Sequence, residues 1–446
     1  MKLFYRSVLS LSIGIALAGL SSTASAAFFQ LAENNASGIG NAFAGGAAIA
    51  EDASTVWSNP AGLTRLPGSQ FVAAGHAIVP SAEFHKTSAN LTPLVGGGNI
   101  SGGEGGNAGE AKFIPNLYYT LQLNEKWWFG LGVNAPYGLA TDYDDDWVGR
   151  YHADRSEIKT INVNPSIAFK INDQFSIGGG VSAQYIKATL SQAVDVGTVS
   201  GGTCGVPGNR ANDGHADITA DDTSFGFNLG ALWSLQQDTR VGFAYRSKVK
   251  QQLEGNFHVN RPAVCAALDA RGIVDSGAKA NVTLPETYSI SAFHQISHQW
   301  AIMGDITRTR WSSLPELRID FDSSQADSVV TLGLKDVNRY SIGTTYTPNS
   351  NWSYRFGIAL DQTPTPSADL RTPRLPDEDR LWLAVGAGYR FSQSAKIDFG
   401  FAHVKVDDAS INKQAGTTGE NVSRGSLVGT YKADINILSV QGSWSF

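Results

Sequence analysis

Trp352-Ser353-Tyr354-Arg355-Phe356-Gly357-Ile358-Ala359-Leu360-Asp361 alternates without a fault. Trp352, Tyr354, Phe356, Ile358 and Leu360 fall on one face of an extended chain, and the small or polar residues between them fall on the other. Successive side chains of a strand point to opposite sides, so this period of two describes a sheet with one apolar and one polar face. The next segment repeats the pattern, with Leu381, Leu383, Val385, Ala387, Tyr389 and Phe391 against Arg380, Ala384, Gly386, Gly388 and Arg390. A soluble sandwich alternates too, its apolar face turned to a core. The position of the aromatics separates the two architectures.

Tight turns occur at 124–126, 172–173, 236–238, 297–298, 348–351 and 392–395, and beside them lie Trp127, Trp128, Phe175, Trp233, Trp300, Trp352 and Phe391, with Trp444 and Phe446 at the terminus. A girdle of rings along one set of turns is what a membrane interface selects. The short turns then face the periplasm and the long connections face outside. Strands are expected at 70–79, 112–123, 127–136, 158–171, 175–190, 223–235, 240–258, 278–296, 299–310, 337–347, 352–361, 380–391, 396–406 and 430–446. That is about fourteen, an even number as single-chain bacterial barrels require. The fold class read from the sequence is therefore all-β, a transmembrane antiparallel barrel. Leu438, Val440, Gly442, Trp444 and Phe446 share one face of the last strand, resembling the terminal signal read by the outer-membrane barrel assembly machinery.

Composition agrees. The chain has 446 residues, 42% hydrophobic, with 48 glycines, and carries no linker or low-complexity tract that would divide so long a chain into domains. A net charge of -6 without a basic cluster argues against nucleic-acid binding. At the start, Lys2 and Arg6 precede an apolar run from 8 to 20 and the small residues Ala24-Ser25-Ala26. That run is short of the ~20 residues a spanning helix needs, so 1–26 reads as a cleaved signal peptide rather than an anchor. The mature protein is then placed in the bacterial outer membrane. Residues 27–67, rich in Ala, Gly and Asn, are too small-sided to build a core and read as a hatch, or plug, inside the barrel formed by 68–446.

Inward positions such as Gly343, Thr345, Gly357, Ala359, Gly386 and Gly388 leave room beside a plug. The bore shows isolated charges, Arg339, Arg355 and Asp361, rather than the opposed charge rows of a salt-filtering porin; they serve either as ligand contacts or as mutually satisfied ion pairs. Proline donates no ladder hydrogen bond, so Pro115, Pro136 and Pro165 in neighbouring strands mark a weakened wall, with Pro115 expected opposite Asn134. Cys204 and Cys265 lack the His and Cys neighbours of a zinc site and, in an exported chain, are expected to form a disulfide across two outer loops. Two unpaired thiols are the alternative. The eight histidines are scattered, no metal or cofactor is expected, and no nucleophile-elbow motif is present. An outer-membrane lipid hydrolase and a loop-rich adhesin remain as functions of another class.

Several motifs carry a family likeness. Gly45 to Asp52 followed by Asn59-Pro60-Ala61 closely resembles the hatch of the long-chain fatty acid transporter (FadL) family of outer-membrane proteins. The likeness continues through Tyr137-Gly138-Leu139-Ala140-Thr141, Leu284-Pro285-Glu286, Gly343-Thr344-Thr345-Tyr346 and Pro376-Asp377-Glu378-Asp379-Arg380-Leu381-Trp382. It implies a fourteen-stranded barrel with a hatch, carrying apolar substrates passively. The expected route is capture in a groove among the outer loops, a pocket beside the hatch, and exit into the outer-membrane lipid through a gap at a kinked third strand, near Pro136. Long-chain fatty acid is the expected ligand, with aromatic or other neutral hydrocarbons as the alternative within the family. The protein is expected to act as a monomer. The family's carboxylate-binding basic residues have no motif match here; Lys335 with Arg339 sits in a similar context. The loop Arg261 to Leu268 reads as helical, with Val264 and Leu268 as candidates to line the outer groove.

Overall fold

In the computed structural model, which describes residues 28–261, 265–349 and 351–446, the sheet is a closed antiparallel barrel. Its segments are β1 (Ser69–Asn90), β2 (Lys112–Gln122), β3 (Trp127–Asn134), β4 (Gly138–Asp142), β5 (Arg155–Lys170), β6 (Phe175–Val194) and β7 (Gly214–Ser234). Then come β8 (Thr239–Arg246), β9 (Val249–Asn260), β10 (Ser276–Leu284), β11 (Thr287–Gln295), β12 (Trp300–Thr309), β13 (Glu316–Phe321) and β14 (Ser328–Thr331). The last six are β15 (Val337–Tyr346), β16 (Trp352–Asp361), β17 (Arg380–Arg390), β18 (Ala395–Val406), β19 (Ala409–Lys413) and β20 (Ser426–Ser445). β13 and β14 form an outer hairpin, and β3/β4, β8/β9, β10/β11 and β18/β19 are each one wall strand broken in two, which leaves fourteen wall strands. β20 closes on β1 in a ladder running from Gln70 with Ser445 to Asn90 with Ser426. Among the described residues no helix is long and apolar enough to cross a membrane. The expected signal peptide lies outside them.

The alternation read from 352–361 is the one observed. Trp352, Tyr354, Phe356, Ile358 and Leu360 are exposed on the outer wall, while Arg355, Ala359 and Asp361 are buried inside. Apolar side chains therefore face lipid, and the polar face lines the bore.

Several strands run farther than the sequence pattern predicts. β1 passes through Pro80, expected to begin a loop, and continues to Asn90. The Ala82 N–H turns toward Asn107, on the side where the β1–β2 ladder has already ended at Ile78 and Lys112, and Pro80 two residues earlier shares that side. Its missing donor therefore costs nothing there. β7 begins at Gly214 rather than 223, in polar sequence that pairs with β6 and β9 above the apolar band. The expected single strand 278–296 is broken at Pro285, and the segment before the third-strand break ends at Asn134 rather than Pro136. Among the described residues of the outer loop that begins at Arg261 only Ala266–Asp269 is helical, and Val264 lies outside the described residues.

Residues 28–68 carry no strand and pack against the inner wall. They form α1 (Ala36–Gly40), α2 (Gly46–Ile49), α3 (Thr55–Ser58) and a 3-10 turn (Pro60–Arg65). Close approach explains the inward glycines. A Cβ on Gly357 would sit 2.1 Å from the Asn41 carbonyl carbon, and one on Gly242 would sit 1.9 Å from the Ala47 oxygen. Both contacts are with backbone that cannot yield. Asn59 is fully buried: its Oδ1 accepts from the Ala61 N–H at 3.0 Å, and its Nδ2 donates to the carbonyls of Ala47 at 2.7 Å and Ala231 at 3.0 Å. Pro60 opens the following turn, where a missing N–H is harmless. Asn59-Pro60-Ala61 thus pins the segment to itself and to β7.

Candidate functional site

The wall is interrupted where the third strand breaks. The β2–β3 ladder stops at Leu117 with Val133, so Lys112 to Asn116 pair only with β1. This register sets Pro115 level with Ala135, one residue beyond the expected Asn134, because the turn pairs Leu123 with Trp127 rather than with Lys126. Pro115, Asn134 and Pro136 nevertheless meet at the same opening, and all but Pro136 of the segment Val133 to Thr141 lines the cavity there. Pro165 does not open the wall. The β5–β6 pairing skips Asn164 and Pro165, but the Asn164 side chain donates to the Val181 carbonyl at 2.8 Å and supplies the donor that proline lacks.

At the break, the backbone of the third strand is satisfied from two sides. The Tyr137 N–H donates to the Thr160 hydroxyl at 3.0 Å, and that hydroxyl donates to the Tyr137 carbonyl at 2.6 Å. The N-terminal segment supplies the rest: the Leu31 N–H donates to the Pro136 carbonyl and the Gly138 N–H to the Phe29 carbonyl, each at 2.9 Å, with Gln30 bridged to Tyr137. Asn116 Nδ2 donates to the Glu33 carbonyl at 2.8 Å from the other lip. Buried backbone groups must be paired in a membrane wall. Here part of that pairing comes from the N-terminal segment rather than from the next strand.

Three cavities follow one another and end at this place. An outer groove of about 1210 Å³ lies between the long loops, among them Leu94, Val199, Phe257 and Arg318. Below it is an apolar pocket of about 100 Å³ walled by Ile186, Leu190, Leu253, Val282 and Leu317, with Phe28 and Phe29 at one end. Groove and pocket share Leu190, Ile218, Leu317, Ile319, Val330 and Arg374. Phe28, Phe29, Leu139, Ile158 and Leu375 are common to the pocket and to a third cavity of about 540 Å³, which reaches the wall opening. That last cavity is lined from inside by Phe28, Phe29 and Glu33 and from the lipid side by Phe113, which is 68% exposed, and Ile161. Phe28 and Phe29 stack edge-on against the buried Trp311, with ring centroids 5.2 and 5.0 Å away, so the aromatic cluster closes the floor between pocket and opening. Over the opening Lys112 pairs with Glu157 at 2.9 Å and with Glu110 at 2.6 Å.

A separate set of bonds holds the N-terminal segment to the wall. Arg240 donates to the Ala48 carbonyl at 3.1 Å, Arg246 to Trp57 at 2.9 Å, Arg339 to Ala42 at 3.0 Å and Arg380 to Phe28 at 3.2 Å. Arg355 is buried between Glu51 at 2.6 Å and Asp398 at 2.8 Å, with Lys396 also on Glu51. Burial by itself pushes the Glu51 carboxyl up, but the Arg355 and Lys396 charges hold it far below the usual carboxylate range. Burial pushes Glu33 up, the Arg380 and Arg339 charges only partly countering it.

Of the residues singled out from the sequence, Arg339 lines a cavity of about 190 Å³ of mixed polar and apolar lining beside residues 30–60, 3.7 Å from Asp361, and Arg355 lines none of the cavities described here. Lys335 is exposed on the outer side, its N–H bonded to the Pro364 carbonyl. Leu268 is fully buried with Val196, Val199 and Cys265 under the Cys204–Cys265 disulfide, whose Cα atoms are 5.8 Å apart; it stiffens the loop and does not line the groove. Sequence reasoning missed Phe28, Phe29, Trp311 and Arg374. The aromatic pair directly after the small residues Ala24 to Ala27 was the available signal; the others sit in loops with no periodicity to read.

The family model for outer membrane protein transport protein (OMPP1/FadL/TodX) matches residues 17–446. A long-chain fatty acid transport protein of Escherichia coli O6:H1 is 32% identical over 414 residues, 88% of this chain and 90% of that protein. Outer membrane protein P1 of Haemophilus influenzae is 29% identical, covering 91% of each chain. Among solved structures, a Pseudomonas aeruginosa FadL homologue superposes with a TM-score of 0.85 at 25% identity, over 94% of this chain and all of that one. The Pseudomonas putida toluene transporter TodX shares the fold at a TM-score of 0.65 and 17% identity, over 88% of this chain and 94% of its own. With its wall, inward-packed N-terminal segment and interrupted third strand described, the chain belongs to the outer membrane protein transport protein family (OMPP1/FadL/TodX) and is an outer-membrane transporter.

Proposed function

We propose that the protein carries hydrophobic compounds, long-chain fatty acids first, across the outer membrane by passive transport, and that they leave sideways into the lipid. The observation that carries this reading is the third-strand break, where backbone groups of the wall are paired by Phe29 and Leu31 of the plug at the end of an apolar path. Substrate is captured in the outer groove, which the disulfide-braced loop borders, and passes the ring of aliphatic side chains into the pocket above Phe28 and Phe29. Movement of the plug removes its strand pairing and clears the opening between Pro115 and Pro136. The apolar body is transferred from one greasy surface to another, a gain of about 25 cal/mol per Å² over crossing water. No bond is made or broken, so the protein works as a conduit and not as an enzyme, as a monomer that the barrel assembly machinery inserts.

Relatives named for long-chain fatty acid transport align over 88% and 92% of the chain, which supports the fatty-acid reading. Fold neighbours named as monoaromatic hydrocarbon or toluene channels support neutral hydrocarbons as the second reading. Uptake of a radiolabelled C18 fatty acid and of toluene by cells lacking their own transporters, with and without this protein, tests both. Fatty-acid uptake above background is expected. Uptake of neither, in cells whose outer membrane contains the folded barrel, removes the proposal.

A further inference from the structure

We propose that the Glu33 carboxyl shares one proton with the carboxylate of a departing substrate in the cavity behind the third-strand opening, and hands that proton over, so that an acid enters the lipid in neutral form. This rests on the transport reading above and names the group that sets the protonation state at exit.

Glu33 is 6% exposed and lies in the N-terminal segment just before α1, lining the cavity of about 540 Å³ that reaches the opening. Its Oε2 is buried and has no partner. The main chain there is fixed from β2: Asn116 Nδ2 donates to the Glu33 carbonyl at 2.8 Å, and the Tyr118 hydroxyl to the Asn34 carbonyl at 3.0 Å. Three amide oxygens share the condition of Oε2. Oδ1 of Asn34, the next residue, of Asn116, which holds the Glu33 carbonyl, and of Asn134, which lines the same cavity, is buried in each case and receives no donor. The Asn34 amide nitrogen is spent on the Ala32 carbonyl at 3.1 Å. Buried acceptors without donors are uncommon, and each calls for a cause. Here four of them gather at one place.

The charged groups around the cavity are engaged with one another. Arg380 of β17 donates to Asp377 at 2.6 Å and to the Phe28 carbonyl at 3.2 Å, and Arg339 of β15 lies 3.7 Å from Asp361 of β16. Lys112 of β2 holds Glu110 and Glu157, and Lys159 of β5 also holds Glu157, at 2.9 Å. His76 of β1 bonds Ser439 at 2.7 Å and lies outside the lining, and the Tyr137 hydroxyl donates to the Pro285 carbonyl at 3.4 Å. Among the described residues no basic nitrogen comes within 4 Å of the Glu33 carboxyl. Burial pushes that carboxyl up; its own main-chain hydrogen bond and the Arg380 and Arg339 charges counter this only in part, and the Asp361 charge adds to it.

A carboxylate arriving here would stand beside Glu33 with no donor to receive it, and two carboxylates so close do not both stay ionised. One shared proton removes the repulsion and supplies the missing donor, and the two carboxyls then titrate as a pair. The transfer balances. The Glu33 O–H bond breaks and leaves its electron pair on the Glu33 oxygen, the substrate O–H bond forms, and Glu33 takes a replacement proton from water. The acid leaves uncharged into a medium where a charge is costly. A neutral alcohol or hydrocarbon passes without this step.

The test compares uptake of radiolabelled oleate with that of oleyl alcohol, equal in chain, by cells that lack their own transporters and carry the full-length protein, at pH 6.5 and at pH 8.5. The alcohol corrects for every step that moves no proton. Over that range the neutral fraction of a free carboxylic acid falls about a hundredfold. The wild-type ratio of oleate to alcohol uptake should fall less than about tenfold, because the carboxyl pair holds its proton to higher pH. Glu33→Gln should stay within about threefold of wild type at pH 6.5 and drop at least about tenfold below it at pH 8.5, with alcohol uptake within about threefold at both. Glu33→Asp should lie nearer to wild type than Glu33→Gln at pH 8.5, and the reverse order overturns the assignment. Glu33→Gln lowering both probes alike, lowering oleate equally at both pH values, or changing nothing also overturns it and leaves Glu33 as a packing residue. The wild type alone decides the matter if the variant does not assemble: a ratio that follows the free neutral fraction overturns the assignment. A wild type that takes up neither probe overturns the transport reading itself.

Discussion

Glu51→Gln is expected to loosen the plug while leaving the barrel intact. Glu51 receives a bond from Arg355 at 2.6 Å and another from Lys396, the only ion pairs between plug and wall among the described residues. A hydrogen bond to a charged group contributes about 1.5–3 kcal/mol. The Glu51 side chain is 36% exposed, so solvent screening takes a substantial share, and glutamine keeps a carbonyl acceptor. The expected loss is about 1–2 kcal/mol of plug docking, a factor of roughly 5–30 in the docked-to-released ratio. The wall keeps Arg355 with Asp398 at 2.8 Å and Lys396 with Asp398 at 3.2 Å. Hydrogen exchange followed by mass spectrometry on nanodisc-embedded protein reads this directly: amides of residues 46–58 should exchange about tenfold faster, and the wall strands at the wild-type rate. The sign of the pH dependence follows from the same pairing. A carboxyl held low when docked stabilises the docked plug above its free value of about 4.3 and loses that contribution as pH falls below it. Corrected for the intrinsic pH dependence of amide exchange, wild-type plug protection should therefore fall below about pH 4, and the variant should lack that part of the slope. Unchanged exchange at residues 46–58 would refute the electrostatic account of docking.

Alkylation of the purified, unreduced protein should find no free thiol, because Cys204 and Cys265 are bonded; two modified cysteines by intact mass would contradict it. Cysteines introduced at the exposed Asn124 and Gly419 should label differently on intact cells, Gly419 strongly and Asn124 not at all, and the reverse pattern would invert the assigned orientation. Phe29→Ala should cost about 3–5 kcal/mol of packing around Trp311 and lower uptake, checked by thermal unfolding alongside transport; unchanged stability would deny that the aromatic floor is well packed.

The wall was legible in the sequence because lipid on one side and a polar bore on the other impose a strict period of two. Trp352 to Asp361 and Arg380 to Arg390 were read within a residue of their observed bounds. Outside the apolar band that pressure vanishes, so Gly214 to Asp222 and Pro80 to Asn90 read as loops although they pair as strands. Proline marked the opening in the wall, since Pro136 removes a donor whatever surrounds it. It could not show that Asn164 repairs the same defect at Pro165, because that depends on where a neighbouring side chain points. Arg355 and Arg339 could be placed on the inner face but not assigned partners. Glu51, Ala42 and Asp398 reach them from distant parts of the chain, and only the folded plug brings those groups together.

The central claim is that substrate leaves through the third-strand opening when the plug lets go of it. Gln30 and Tyr137 are bridged and flanked by the Leu31–Pro136 and Phe29–Gly138 hydrogen bonds, which makes them a non-hydrogen-bonded antiparallel pair. Cα atoms of such a pair lie about 4.5 Å apart, within reach of a disulfide. The decisive measurement is fatty-acid uptake by cells carrying Gln30→Cys with Tyr137→Cys, oxidised and then reduced, beside each single variant and the wild type under the same reductant. The account predicts background uptake when the lock is closed, with the folded barrel and outer-groove binding retained, and recovery to the single-variant rate on reduction. Transport through the locked protein at the single-variant rate would contradict it and assign the path to the bore itself.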